Sequence, residues 1–164
     1  MQGTIIQVNT SRGGLPKRAV DAGEVTALGI QGDRHAHPRI HGGPLKAILW
    51  IAAEVLDELT AAGYPLFAGA MGENLTTRGI DVRDVRIGDR FRAGTAVIEI
   101  TQPRGPCAAL DIYGESLKAN VYDQQVKRRD PASPRWGMSG FYASVVTPGT
   151  VRAGDGIALL SKPA

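Results

Sequence analysis

Cys107 is the only cysteine of the chain, and it closes the run Pro103-Arg104-Gly105-Pro106-Cys107. The two prolines fix φ at their positions and stiffen this loop. Ala108-Ala109-Leu110 reads as the first turn of a short helix, whose amide groups favour negative charge, and Arg104 adds a fixed positive charge three residues before the sulfur. Both effects favour the thiolate, the form of cysteine that acts as nucleophile and metal ligand. The alternative is a buried cysteine serving as a small hydrophobe. One cysteine excludes an intrachain disulfide and any metal site built from cysteines alone.

The second concentration of chemistry is the stretch from Gly29 to Pro44, which holds all three histidines of the protein, His35, His37 and His41, together with Asp33, Arg34 and Arg39. Glycines on its flanks, Gly42 and Gly43 among them, let backbone amides approach a ligand closely. The arginine and histidine donors suit an anionic or heteroaromatic group, a phosphate above all. A zinc site on the three histidines is a weaker reading, because Pro38 and Arg39 intervene, and a surface loop whose Asp33 and Arg34 satisfy turn backbone groups is a third. Farther on, Gly72-Glu73-Asn74-Leu75-Thr76-Thr77 offers neutral donors and acceptors able to read the edge of a pterin or purine, or an ordinary polar strand. Near the start, Ser11-Arg12-Gly13-Gly14-Leu15-Pro16-Lys17-Arg18 sets Lys17 beside a flexible turn, to meet a phosphate or to stand at an exposed hairpin tip.

The elements that must position these residues are mostly short strands. The 21 glycines and 10 prolines of the 164 residues fall between short apolar runs, so sheet is expected to dominate. The strands expected are 4–8, 19–28 (broken by Gly23), 47–50, 73–76, 90–92, 96–101, 141–146 and 156–160. Two helices interrupt them: 52–62, with Val55, Leu56 and Leu59 on one face, and 119–129, with Val121, Tyr122 and Val126. The size is that of a single domain spanning 1–164. No stretch has the basic start and apolar run of a signal peptide, nor the length of a membrane span, which makes the cytoplasm the expected compartment. The net charge of +3, from 19 Lys and Arg against 16 Asp and Glu, argues mildly for anionic ligands. Lys127-Arg128-Arg129 is the one basic run and reads as a solvated helix end. With aromatics at 5%, a nucleic-acid partner is not expected.

Taken together, Gly13-Gly14-Leu15-Pro16-Lys17, Gly32-Asp33-Arg34-His35 with the later His41-Gly42-Gly43-Pro44, Gly72 to Thr77, Pro103 to Cys107, and Gly149 to Asp155 resemble the MOSC domain, named for the C-terminal region of molybdenum cofactor sulfurases. The blocks occur in the same order and span nearly the whole chain, most like small stand-alone bacterial members. The resemblance implies a mainly β fold with a few helices, a barrel similar to the small domain of pyruvate kinase. It also implies a molybdenum-bearing pterin cofactor with Cys107 as metal ligand, and a family-level association of the sulfurases with pyridoxal phosphate. A thiolate is a soft donor and suits such a metal. By the same carry-over Arg104 assists at the metal, Lys17, Arg34, His35 and His41 approach the phosphate and pterin, Asn74 reads the ring, and Asp33, Gly42, Gly43, Glu73 and Thr76 complete the cofactor-binding set.

The activity this implies is reduction of small N-hydroxylated compounds, hydroxylaminopurines or amidoximes. The alternatives are a sulfur carrier with a persulfide on Cys107, and a module that binds or transfers the cofactor without turnover. No cysteines are left for an iron–sulfur cluster, so an external electron-donor protein, or for the carrier a cysteine desulfurase, is the expected partner.

Overall fold

Alternation of buried with outer side chains shapes three of the strands, at residues 23–26, 90–93 and 96–101. The computed structural model describes residues 1–36 and 38–164, and His37 lies outside the described residues. In chain order the elements are β1 (Gln2–Thr10), β2 (Arg18–Val20), β3 (Gly23–Thr26), β4 (Gly29–Ile30), α1 (Pro38–His41), β5 (Ile48–Ala52) and α2 (Ala53–Ala61). They continue with β6 (Leu75–Arg78), β7 (Arg90–Ala93), β8 (Ala96–Pro103), α3 (Leu117–Val121), α4 (Gln124–Lys127), β9 (Phe141–Thr147), β10 (Gly149–Val151) and β11 (Gly156–Ser161). Three 3-10 turns add Pro44–Lys46, Val82–Asp84 and Ala108–Tyr113.

Seven strands close into a barrel in the order β11-β7-β8-β9-β5-β6-β1, with β1 pairing back onto β11 and β2 appended to β1. Closure leaves these strands no open edge. A second sheet of β10, β3 and β4 lies beside it. In β7 and β8 buried and outer positions alternate, as the period of two requires. β5 departs from that rule, with all five residues buried. It pairs in parallel with β6, the two being joined by a connection that includes α2, whose Val55, Leu56 and Leu59 are buried, so both faces of β5 are covered. Trp50 lies in this core at 1% exposure, edge-on to Phe91 at 5.1 Å, and donates its indole N–H to the Thr77 hydroxyl at 2.6 Å.

The mainly β expectation and the helix at 52–62 agree with this architecture. Three boundaries differ. The strand expected over 19–28 is two short ones, β2 in the main sheet and β3 in the second, because the chain turns at residues 21–22, and a further turn at 27–28 leads into β4. The helix expected over 119–129 is split at Tyr122, which is extended, and Asp123, whose side chain caps α4 by accepting from the Val126 amide. The strand expected from Glu73 begins at Leu75, since the Glu73 carboxylate is used to close the preceding turn on the Gly69 amide.

Replacing Trp50 by Ala removes a large core side chain and leaves the Thr77 hydroxyl unpaired. The expected cost is about 3–5 kcal/mol, read as a lower urea midpoint at unchanged slope.

Candidate functional site

The loops at one region of the barrel converge on a pocket lined by Lys17, Arg34, His35, His41, Asn74, Arg104 and Cys107, all singled out in the sequence. Asp33, Gly42, Gly43, Glu73 and Thr76 do not line it. The carboxylates stand behind the wall and hold it in place.

Asp33 is the centre of that support. Its Oδ1 accepts from the Ser11 amide at 2.8 Å, and its Oδ2 accepts from the Asn74 amide group at 2.8 Å and from the Lys17 ammonium. The Lys17 and Asp33 side chains are 6% and 4% exposed. Burial lowers the Lys17 pKa from its ordinary value, and the charge and hydrogen bond of Asp33 oppose the shift. Lys17 also bonds through its backbone to Gly69, whose φ of +93° only glycine adopts easily. A Cβ there would lie 2.1 Å from the Lys17 carbonyl oxygen.

Asn74 holds the next segment. It exchanges bonds with Leu49, accepting from that residue's amide at 3.0 Å through Oδ1, and donates through Nδ2 to the Asn9 carbonyl and to Asp33. Its amide hydrogens are thereby spent within the protein. Thr76 donates to Glu73 Oε1 at 3.0 Å and accepts from Asn9 at 3.1 Å. Glu73 is fully buried. Burial raises its pKa, against the pull of hydrogen bonds from the Gly69 amide and the Thr76 hydroxyl and of the Arg104 charge.

β8 delivers Arg104 and Cys107. The register shift between Ile100 and Gln102 in the β8–β9 pair falls just before them, where bulges commonly re-aim a strand. The Arg104 amide donates to the Gly140 carbonyl at 2.8 Å, and its own carbonyl accepts from the Ser139 hydroxyl. The guanidinium is buried at 3% exposure of the residue, and Nη2 donates to the Met71 carbonyl at 3.0 Å. Nε and Nη1 have no hydrogen-bond partner among the described residues. These two donors of a permanent cation lie in the pocket wall near the Tyr142 hydroxyl, whose ionised form the guanidinium favours. Cys107 is half-buried and stands at the N-terminal cap of the Ala108–Tyr113 turn.

Across the pocket, His41 Nδ1 lies 3.3 Å from the Tyr142 hydroxyl, and the Lys46 ammonium sits 5.5 Å over the Tyr142 ring. Burial raises the Tyr142 pKa, Arg104 opposes this, and a charge on Cys107 adds to it, so the phenol stays neutral. Burial, followed by the charge of Lys17, lowers the pKa of His35. The lining carries Lys17, Arg34, Lys46 and Arg104 and no carboxylate, so it favours anions. Tyr142 and Lys46 were not singled out in the sequence. Lys46 was findable as a cation just past the histidine stretch, whereas Tyr142 lies in β9, which only its pairing with β8 brings to the pocket. As for zinc, His37 lies outside the described residues, and no group of three His, Cys, Asp or Glu among the described residues is placed to hold a metal. No helix of the described residues is long and apolar enough to cross a membrane.

A closed barrel with a cation-lined pocket and a thiol in its wall is the arrangement expected of the MOSC domain. The family's sequence model matches residues 37–158, and the chain belongs to this family. Protein YiiM of Escherichia coli (strain K12) is 32% identical over 142 residues, covering 84% of this chain and 59% of that protein. A protein of Gibberella moniliformis (strain M3125 / FGSC 7600) named Reductase is 29% identical over 184 residues, covering 98% of this chain and 30% of that one. The crystal structure of YiiM from Escherichia coli superposes with a TM-score of 0.72 at 30% identity, covering 100% of this chain and 72% of that chain. The chain thus spans less than two thirds of the length of these two curated relatives.

Two outcomes test the support layer. Asp33→Ala strands the Lys17 ammonium in the interior and is expected to cost about 3–5 kcal/mol in denaturant unfolding. For Glu73, a pKa raised in the folded state means that the native protein holds its proton more tightly than the unfolded chain. The associated stability is present below the ordinary value of 4.5 and is lost as pH rises through the raised value. Glu73→Gln keeps the Oε1 acceptor and is expected to flatten that decline, as measured by urea unfolding across acid to neutral pH.

Proposed function

We propose that this pocket binds a molybdenum-bearing pterin cofactor with Cys107 as a ligand to the metal, and that the protein reduces N-hydroxylated compounds of the hydroxylaminopurine or amidoxime type. The observation that carries this reading is the guanidinium of Arg104, buried with two donors unpartnered in the same wall as the thiol. Membership of the MOSC family and a relative named Reductase support it.

The donor set fits the group. Lys17, Arg34, His35, His41 and Lys46 would hold its phosphate and pterin, Arg104 would offer its unpartnered N–H groups to the group's anionic part, and a Cys107 thiolate would be a soft donor suited to its metal. When bound, the group supplies a two-electron redox centre.

The chain's own residues perform the rest. Asp33 fixes Lys17 and Asn74, so the wall is formed before the ligand arrives. Leu15, Leu49, Met71 and Ala109 supply the apolar part of the lining and limit water. Reduction of a hydroxylamine breaks one N–O bond and takes up two electrons and two protons, giving an amine and water. The Tyr142 hydroxyl, neutral and 3.3 Å from His41 Nδ1, is the proton donor in the wall, with His41 beside it in the same lining.

Elemental analysis of protein made in cells able to synthesise the cofactor tests the reading. The parent chain is expected to carry molybdenum and to reduce a hydroxylaminopurine with reduced viologen as electron source, and Cys107→Ser to lose most of the metal and the reduction. Retention of both by Cys107→Ser overturns the reading. A persulfide on Cys107 after incubation with a cysteine desulfurase, with no reductase activity, replaces it with the sulfur carrier.

A further inference from the structure

We infer that Glu73 is a positioning residue: it sets the places of the pocket's two buried cations, Lys17 and Arg104, through the turn at residues 69–73 and without touching the ligand. The inference rests on the reading of this pocket as a site for an anion.

Among the Lys and Arg side chains of the lining, Lys17 and Arg104 are buried, whereas Lys46 is half-buried and Arg34 exposed. Both buried ones are fastened to one turn. The Gly69 carbonyl accepts from the Lys17 amide at 2.9 Å and from the Gly72 amide at 3.1 Å, and the Met71 carbonyl accepts from Arg104 Nη2 at 3.0 Å. Met71 and Gly72 themselves line the pocket. The turn has little room to slip, since a Cβ on Gly72 would lie 2.8 Å from Leu15 Cδ2.

Glu73 closes that turn from behind. Its Oε1 accepts from the Gly69 amide at 2.6 Å and from the Thr76 hydroxyl at 3.0 Å, so Gly69 is held at both its N–H and its C=O. The Asn9 side chain donates to the Thr76 hydroxyl at 3.1 Å and accepts from Gln7 at 2.6 Å, which ties the acid to β1. Asp33 thus holds the end of the Lys17 side chain, while Glu73, through Gly69, holds its backbone.

Reach rather than charge explains this residue. Glu73 forms no ion pair among the described residues, and its Oε2 has no hydrogen-bond partner there. Burial favours the neutral acid, which still accepts through Oε1. A neutral acid also leaves the positive charge of Lys17 and Arg104 to a ligand, where a carboxylate at this depth would offset it. Asp89 is a matched contrast. Equally buried, it closes its own turn on the Arg86 amide at 2.8 Å with Oδ1 unpartnered, and neither residue lines the pocket.

Titration of the full chain with inorganic phosphate, followed by proton–nitrogen NMR at the Arg104 Nε–H, tests this. Glu73→Gln, which keeps the Oε1 acceptor, is expected to bind phosphate within about twofold of the parent and to keep the Arg104 signal. Glu73→Asp, shorter by a methylene, and Glu73→Leu are expected to weaken phosphate binding about tenfold and to broaden that signal. Where Glu73→Leu does not fold, Glu73→Asp reads the same distinction. Asp89→Ala is expected to lower the urea midpoint and to leave both readouts at parent values. Parental affinity and signal in Glu73→Asp overturn the inference. So does loss in Glu73→Gln, which makes the carboxylate charge the working feature, or an equal loss in Asp89→Ala, which makes the effect one of general stability. No phosphate binding by the parent overturns the anion reading of the pocket instead, and the Arg104 signal still reads the positioning.

Discussion

Asp33 places a carboxylate where almost no water reaches, and three donors from three separate segments converge on it: the Ser11 amide, the Lys17 ammonium and the Asn74 side chain. Desolvating both charges of the Lys17–Asp33 pair is expensive, and only full hydrogen bonding of the carboxylate offsets it. The same bonds tie residues 11–17, 31–36 and 72–74 into one wall. A pocket edge made of loops is thereby given the stiffness of an interior.

That stiffness matters because the wall and the layer behind it contain groups whose needs the protein does not meet. Arg104 is buried with two N–H groups unpartnered, and Glu73 is buried with Oε2 unpartnered. Such groups persist where the surrounding structure holds them against relaxation. The barrel supplies that restraint, with Arg104 anchored through its backbone to Ser139 and Gly140 and Glu73 through Oε1 to Gly69 and Thr76. The unpaired donors of Arg104 are thereby held as preorganised positive charge in the pocket wall.

The division of labour between carboxylates and cations is consistent across the site. Carboxylates sit behind the wall, cations line it, and the thiol stands at the end of β8 where a stiff proline loop leaves the barrel. The pocket field is therefore set by distance from the surface rather than by composition, which is only mildly basic.

Local pattern made much of this legible. The β-rich fold followed from short apolar runs between glycines and prolines, α2 from its three-to-four spacing, and the family from five ordered blocks. Cys107, Arg104, Lys17, His35 and His41 were marked because reactive side chains beside stiff or glycine-rich loops are visible in one dimension. What only the tertiary structure decided is which polar groups face the pocket and which stand behind it. Asp33 and Lys17 are sixteen residues apart and carry no local sign that one holds the other. Glu73 and Asn74 are adjacent, yet one is sealed in the interior and the other lines the pocket. Tyr142 joins the site because antiparallel pairing of β8 with β9 sets it opposite Gln102. Residue type fixes what a group is able to do, whereas burial and partners, which arise only when distant segments pack, fix whether it binds, supports or donates.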